Sequence, residues 1–356
     1  MNLHLAVYGS SLLSSYWNGA ATYYRGLFRE LAQLGARITF FEPDAWQRQE
    51  HRDIDEPEWA RVVVYPNNEA AARQALARAN GANLLIKCSG VGVFDELLEA
   101  GVIARAEATG AHVAFWDVDA PATLERLQQN PADPFAPLIR QYDFIFTYGG
   151  GAPVTDAYQR HGARACVPIY NALDPGTHHP VAPDPRFAAD LSLLANRLPD
   201  REARIDEFFF KPAALLPHRR FLLAGNGWHD KPLPPNVTAI GHLPTKDHNA
   251  FNASATAVLN VNRDSMARFG FSPATRVFEA AGAAACLITD AFTGVEQFFA
   301  PNEEILVAQS GEQVAAYLED LTPQRARDIG QAALRRALAE HTYRQRAELW
   351  KQVIAP

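Results

Sequence analysis

The chain has 356 residues, of which 48% are apolar and 21% charged, and its formal net charge is −7 at pH 7. This length suits two domains of roughly 150 to 200 residues better than a single core. The composition is typical of a globular protein, and the acidic balance gives no general attraction to nucleic acid or to an anionic membrane.

Cysteine usage and hydropathy indicate the cellular setting. Cys88, Cys166 and Cys286 lie far apart in apolar runs, which indicates buried thiols rather than a disulfide framework or a metal-ligand spacing. The first residues lead directly into a strand without a basic leader. No apolar run reaches the ~18 residues of a membrane span. We therefore expect a cytoplasmic protein without an integral membrane segment, and peripheral membrane contact stays open.

The chain opens with a strand–helix–strand unit. Residues 3–8 form an apolar run that predicts a strand, and residues 9–19 form a loop of small and polar residues. From residue 20 to residue 34, apolar side chains recur every three or four positions, which predicts a helix that ends at Gly35. Residues 37–41 predict a second strand parallel to the first.

This alternation continues along the chain and is interrupted once. The Pro- and Gly-rich segment 172–186 indicates a linker between a first domain, 1–171, and a second domain, 187–335. The charged helix predicted over 336–356 is expected to pack back on the first domain. Strands alternating with helices predict α/β domains with parallel sheets. The further strands are predicted at 62–65, 83–87, 112–116, 144–148, 165–169, 189–194, 220–224, 237–240, 257–261, 285–289 and 304–307.

Loops at the carboxyl ends of parallel strands are the expected ligand sites. The loop after the first strand contains Gly9, Ser10, Asn18 and Gly19, which could approach an acceptor or a phosphate. It lacks a true Gly-x-Gly-x-x-Gly pattern, so dinucleotide binding is disfavoured.

Two carboxylates end another strand of the first domain. Asp117 and Asp119 follow Trp116 and precede Pro121. A carboxylate here could orient or deprotonate an acceptor hydroxyl, and we favour Asp119 for that catalytic role. The alternative is that these residues cap the helix that follows. His178 and His179 lie on the connector without further ligands at a suitable spacing, so they are interpreted as non-metal residues.

The segment 268–290 carries the most specific chemistry. Ser272 followed by Pro273 predicts the start of a helix, whose free N–H groups suit a diphosphate. Glu279 lies in the second turn of this helix. It could accept hydrogen bonds from ribose hydroxyls, or it could be a solvent-facing or capping glutamate.

This segment resembles the nucleotide-sugar signature of retaining GT-B glycosyltransferases, especially the CgeB-like branch of spore-maturation glycosyltransferases. The similarity rests on the helix with Arg276, Phe278 and Glu279, on the strand that ends in Thr289 and Asp290, and on the continuation over 293–306. It implies two Rossmann-like domains with parallel sheets facing a central cleft, a donor-binding C-terminal domain, and Glu279 as the ribose ligand. It also implies retention at the anomeric carbon and a reaction without a metal or another cofactor.

One position departs from the pattern. Many relatives carry an acidic residue eight positions before the ribose glutamate, where this chain has Phe271. Its absence fits the CgeB-like branch but leaves recognition of the donor sugar unassigned. The connector 171–180, with Asn171 and Asp174, resembles the interdomain linker of the same enzymes.

Further donor contacts follow from the resemblance. Asn196, Arg197 and Arg201 come after the first strand of the second domain, where the family often places a basic residue near the diphosphate, and we favour Arg201 over Arg197. The loop with His242 and Leu243 resembles the one that pairs its backbone with the nucleobase. Arg276 and Ser272 complete the predicted donor site.

The sequence therefore predicts a glycosyltransferase of the hexosyltransferase type, which moves a sugar from a nucleoside-diphosphate-sugar donor to an unknown acceptor. The acceptor could be a glycan, a protein or a small molecule, and no nucleic-acid partner is expected. Two alternatives share the architecture: a nucleotide-sugar 2-epimerase, and a non-catalytic protein that binds sugar nucleotides.

Overall fold

A computed structural model describes residues 3–354 of the chain. The chain divides into two compact units. The first unit comprises the chain up to Tyr170 together with the segment from Tyr343 onward, and the second comprises Asn171–Thr342. The second unit thus includes the segment predicted as a linker and ends seven residues after the predicted boundary at 335.

The first unit is built on a parallel sheet whose described strands run in the order β3-β2-β1-β4-β5-β6-β7. Its order reverses between β1 and β4, the position where doubly wound sheets place their ligands. The strands are β1 (Leu3–Tyr8), β2 (Ala36–Asp44), β3 (Ala60–Pro66), β4 (Leu84–Cys88), β5 (His112–Asp117), β6 (Phe144–Thr147) and β7 (Cys166–Pro168). The helices between them are α1 (Ala20–Gln33), α2 (Glu69–Ala77), α3 (Asp95–Thr109), α4 (Ala120–Gln129) and α5 (Gly151–Arg160).

The second unit repeats this plan with a smaller parallel sheet, whose described strands run in the order β10-β9-β8-β11-β12-β13. Its strands are β8 (Ala189–Leu194), β9 (Phe221–Ala224), β10 (Val237–Ala239), β11 (Ala255–Asn260), β12 (Leu287–Asp290) and β13 (Leu306–Ala308). Its helices are α6 (Pro199–Ile205), α7 (Lys211–Leu215), α8 (His248–Ser254), α9 (Asp264–Phe269), α10 (Thr275–Gly282), α11 (Gly311–Asp320) and α12 (Pro323–Glu340). The last helix, α13 (Tyr343–Ile354), belongs to the first unit.

The two faces of the second sheet differ in polarity. On one face, Leu191, Leu259 and Ile288 pack with helical residues such as Phe209 and Leu318 in a large apolar core. Side chains alternate along a strand, so the positions between these three strand residues face the other side. That side carries buried polar residues, among them Ser192, Asn260 and Thr289. The same face also carries an apolar cluster with Leu222, Leu243 and Phe251, so it combines hydrogen-bonding groups with apolar packing.

The helix α6 begins at Pro199 and continues through a π-helical turn, Asp206–Phe210, into α7. One helix boundary differs from the sequence-based prediction. The helix expected to start at Ser272 starts at Thr275, with Ala274 as the preceding residue. The prediction of Ser272 as the N-cap was wrong, because the Ser272 hydroxyl donates instead to the backbone oxygen of Gly270, at 2.9 Å.

The connector is pinned to α10. The amide of Asn171 donates to the backbone oxygen of Pro273 (3.2 Å) and its carbonyl accepts from the Thr275 hydroxyl (3.0 Å). At the other end of α10, a Cβ on Gly282 would lie 2.4 Å from Cδ1 of Leu173 and 2.9 Å from the backbone oxygen of His178. Only a glycine lets the connector cross the helix this closely, so the connector side chains reach the side of α10.

Candidate functional site

The candidate site of the second unit starts from the carboxyl ends of β8, β11 and β12. The loop after β8 carries Asn196, Arg197 and Arg201, and β12 ends in the buried Asp290. Asn262, which follows β11, donates its backbone N–H to the Asp290 carboxylate at 3.0 Å. Parallel strands end at the same edge of a sheet, so these loops are neighbours although they are far apart in sequence.

Glu279 is the centre of the site. It lies on the second turn of α10 and is only 6% exposed. Its Oε2 is 3.3 Å from Nη1 of Arg276, one turn earlier on the helix. Its Oε1 is 3.9 Å from Nε2 of His178, which the connector supplies. His248, the first residue of α8, offers a ring nitrogen to the same group, and the three ligand atoms of His178, His248 and Glu279 lie within 4.8 Å of one another.

The carboxylate of Glu279 stays ionised despite its burial. Burial alone raises the pKa of a carboxyl group, but the neighbouring Arg276 and the two imidazoles lower the pKa of Glu279 to about 2. Burial also lowers the pKa of His178, and it lowers the pKa of His248 to about 4. Since both imidazoles are then neutral at neutral pH, Arg276 is the charge that keeps Glu279 ionised.

Several polar atoms around this carboxylate have no hydrogen-bond partner among residues 3–354. They are Nε2 of His178, Nδ1 of His248 and Nη1 of Arg276. His248 uses its other nitrogen, Nε2, to contact the backbone oxygen of Leu243 at 3.3 Å, so its Nδ1 is left as an acceptor. An unpaired buried polar group costs about 1–3 kcal/mol, which a polar ligand would offset.

The cluster of His178, His248 and Glu279 has the ligand types of a metal site. The sequence-based interpretation of His178 as lacking further ligands was therefore incomplete, because folding brings in two residues from distant positions. The same carboxylate is already paired with Arg276, however, and a cation bound there would face the guanidinium at close range. We infer that the arrangement suits a neutral polar ligand better than a cation.

The structure separates the two arginines of the predicted diphosphate site. Arg197 is bound to Glu202 through two hydrogen bonds (2.9 and 2.8 Å) and to Asp230 at 2.7 Å, so its charge is already neutralised. Arg201 donates to the backbone oxygen of Asn196 at 2.7 Å. Burial lowers the pKa of Arg201 to about 10, with Arg263 and Arg276 among the charges near it. Arg201 therefore remains a cation at neutral pH.

The predicted nucleobase loop contains one exposed and one buried residue. His242 is exposed, whereas Leu243 packs in an apolar cluster with Phe187, Leu222 and Phe251. A donor contact through Leu243 would therefore use its backbone. The Asn196 side-chain carbonyl accepts a hydrogen bond from the backbone N–H of Asn226 at 2.9 Å, so this side chain helps to hold the loop after β8.

In the first unit, the predicted acceptor loop is held by its own side chains. The Ser10 hydroxyl donates to the Asn18 carbonyl at 2.9 Å, and the Asn18 amide donates to the backbone oxygens of Ser11 and Ser14. Gly9 follows β1, and Gly19 directly precedes α1. These contacts give Ser10 and Asn18 a structural role in the loop, and their part in ligand binding stays a prediction.

The two predicted carboxylates after β5 have different surroundings. Asp117 is fully buried and accepts hydrogen bonds from the hydroxyls of Ser89 and Tyr158 and from the backbone N–H of Asp119. Asp119 is half-buried and immediately precedes α4. Asp117 is thus a structural residue, and the acceptor-side role of Asp119 stays a prediction.

Comparison with known proteins defines the class of fold. Residues 201–352 match a protein-family model described as glycosyl transferase-like. Both units together have the architecture of the GT-B glycosyltransferases, with two α/β units built on parallel sheets. No functionally curated protein matches the sequence.

Individual solved structures share this fold along the whole chain. HepE from Anabaena, solved in complex with UDP-glucose, is 11% identical, with a TM-score of 0.70 and 99% of each chain covered. Sucrose-phosphate synthase from Thermosynechococcus elongatus is 14% identical, with a TM-score of 0.71, 99% of this chain covered and 98% of that one. The T4 phage β-glucosyltransferase, solved with its UDP-glucose substrate, is 11% identical, with a TM-score of 0.61, 99% of this chain covered and all of the other.

Within residues 3–354, no helix combines the length and the apolar character that crossing a membrane requires.

His178 and His248 are the site residues that sequence reasoning missed. A signal for His178 existed in its position on the connector. Nothing in the sequence pattern linked His248 to Glu279.

Proposed function

We propose that this protein is a glycosyltransferase that uses a nucleoside-diphosphate-sugar donor held by the second unit. The observation that carries the proposal is Glu279, a buried and ionised carboxylate on α10 that pairs with Arg276 and lies near nitrogens of His178 and His248 that lack a hydrogen-bond partner. A carboxylate of this kind suits ribose hydroxyls, since hydrogen bonds to charged groups are the strong ones. The family match over 201–352 and the shared fold support the same assignment.

Uridine diphosphate is the proposed nucleotide, because two structures of the same fold were solved with UDP-glucose. In the proposed reaction, the bond between the anomeric carbon and the diphosphate oxygen breaks, and UDP leaves with the electron pair. The acceptor oxygen bonds to that carbon, and its proton passes to a base, for which Asp119 is the candidate. Arg201 and the N-terminal N–H groups of α10 would stabilise the charge that develops on the diphosphate.

Finer parts of the proposal rest on sequence resemblance. Retention at the anomeric carbon, a hexosyl donor and the CgeB-like branch follow from the resemblance over 276–306. Cytoplasmic location and the absence of a metal or another cofactor also stay predictions. The acceptor remains open among glycans, proteins and small molecules.

The test is UDP and UDP-glucose binding, measured by titration calorimetry on the wild type and on Glu279→Gln. The glutamine keeps the size of the side chain and removes its charge. We expect the variant to bind UDP about 10- to 100-fold more weakly, the effect of losing about 1.5–3 kcal/mol of charged hydrogen bonding. Glu303→Gln, at an exposed glutamate, is the matched control and should bind like the wild type.

Unchanged UDP affinity in a folded Glu279→Gln variant would contradict the proposal. Product analysis then separates the alternatives. A 2-epimerase converts the donor without an acceptor, and a non-catalytic binding protein leaves UDP-glucose unchanged with every acceptor supplied.

A further inference from the structure

The ring of His178 stacks beside that of His248, with 6.0 Å between the ring centroids, but no contact explains the polar edge of the His178 side chain. It is 2% exposed, and its Nε2 has no hydrogen-bond partner among the described residues. The nearest charged group is Glu279, with 3.9 Å between Nε2 and Oε1. This distance is too long for a direct hydrogen bond, so the two groups face each other without being joined.

The position of His178 is set from several sides. Its backbone N–H donates to the backbone oxygen of Asp174 at 2.8 Å, and the Asp174 carboxylate accepts from the Thr177 hydroxyl at 2.8 Å. Asn249 of α8 donates to the backbone oxygen of Thr177 at 2.9 Å. The backbone of His178 also lies against Gly282, where a side chain would collide with it. The unpaired nitrogen is therefore held near Glu279 by the fold and does not arrive there by chance rotation of an exposed side chain.

One hydroxyl oxygen, placed beside the two atoms rather than between them, can bond to both. An oxygen about 2.8 Å from each atom satisfies both hydrogen bonds at the observed separation. A hydroxyl can do this because it donates to the carboxylate and accepts from the imidazole N–H. An anionic group would be repelled by Glu279, and an apolar group would leave both atoms unpaired.

We propose that His178 determines the specificity of the donor site by binding, together with Glu279, one hydroxyl of the donor ribose. This inference rests on the proposed function of the second unit. It predicts a site that distinguishes ribonucleotides from deoxyribonucleotides, with His178 responsible for part of the difference.

The experiment compares ribo- and deoxyribonucleoside diphosphates on three variants. A panel of UDP, CDP, ADP, GDP and TDP first identifies the base that the wild type binds. The affinity of the protein for the ribonucleoside diphosphate of that base is then compared, by calorimetry, with its affinity for the 2′-deoxy and 3′-deoxy forms. His178→Phe removes the polar nitrogen and keeps a planar ring, His178→Gln restores an amide near the position of Nε2, and His179→Phe alters the exposed neighbour as a control.

We expect the wild type and His179→Phe to prefer the ribonucleotide over one deoxy form by at least tenfold. In His178→Phe this preference should fall about tenfold, through weaker binding of the ribonucleotide with little change for the deoxy form. His178→Gln should recover part of the preference, and it serves as the test if the phenylalanine variant does not fold.

Two results would overturn the inference while the proposed function stands. One is an equal ribose preference in wild type and both His178 variants. The other is Zn²⁺ binding to the wild type, lost in His178→Phe and competing with the nucleotide, which would make the cluster a metal site. Failure of the wild type to bind any nucleotide of the panel would instead defeat the proposed function.

Discussion

At Glu279 the protein keeps a carboxylate charged although it is almost fully removed from solvent. Arg276, one turn away on α10, provides the compensating charge at 3.3 Å. Burying an ion costs several kcal/mol unless partners replace its water, and a single guanidinium does so only in part. The remaining unpaired nitrogens of His178 and His248 indicate that the site is complete only with a ligand.

A residue-scale prediction concerns the two arginines after β8. Arg201→Gln should weaken UDP binding about tenfold, because one charge-assisted hydrogen bond to the diphosphate is worth about 1.5 kcal/mol. Binding of uridine, which has no phosphate, should stay unchanged. Arg197→Gln is the matched control and should have little effect, because Glu202 and Asp230 already neutralise Arg197.

Calorimetric titration of each variant with UDP and with uridine provides the measurement. An equal loss for both ligands in Arg201→Gln would mean that the arginine supports the loop rather than the diphosphate.

At the scale of elements, the site depends on how closely α10 packs against its neighbours. The connector crosses it at Gly282, and α12 packs against the turn that follows it. At Gly330 of α12, a Cβ would lie 2.1 Å from the backbone oxygen of Ala284. A backbone atom cannot move aside as a flexible side chain can, so this glycine sets the distance between the two helices.

We therefore expect Gly330→Ala to destabilise the second unit by about 1–3 kcal/mol, the usual cost of overpacking. Gly101→Ala in α3 is the matched control, since its Cβ would meet only the end of the Leu76 side chain. Alanine favours a helix over glycine by about 1 kcal/mol, so this control should be near neutral or slightly stabilising. Urea unfolding of the wild type and both variants measures the two changes in stability. A Gly330→Ala variant as stable as Gly101→Ala would show that α12 can shift freely.

At the scale of the whole molecule, the first unit is built from two distant parts of the chain. The helix α13 returns to pack on α1, and Tyr343 lies where a Cβ on Gly26 would be only 2.2 Å from its ring. Trp350 is fully buried, with its ring centroid 6.3 Å from that of Trp116 and 6.1 Å from that of Phe146. The C-terminus therefore completes the core of the unit in which the chain begins.

Trp350→Ala should accordingly destabilise the first unit by about 3–5 kcal/mol. Hydrogen exchange should accelerate in β5, β6 and α1, while exchange in 171–342 and the affinity for UDP remain close to wild type. Leu349→Ala, at a neighbouring side chain that is 39% exposed, is the control. Loss of protection mainly within 171–342 would contradict the assignment of α13 to the first unit.

Local patterns predicted most of the strands and helices. The apolar run of β1 and the three- and four-residue spacing of α1 depend only on residues close in sequence, and both elements lie where expected. The predicted start of α10 was too early, because the Ser272 hydroxyl donates to the backbone oxygen of Gly270 instead of capping the helix.

The sequence by itself determined the alternating α/β plan and the motif around Glu279 that resembles a nucleotide-sugar signature, because both consist of short-range periodicity and spacing. Only the tertiary structure decided which arginine after β8 is already paired, and that His178 and His248 stand beside Glu279. His178 and Glu279 are about a hundred positions apart, and they meet because the connector crosses α10 at Gly282, a contact that exists only in the folded chain.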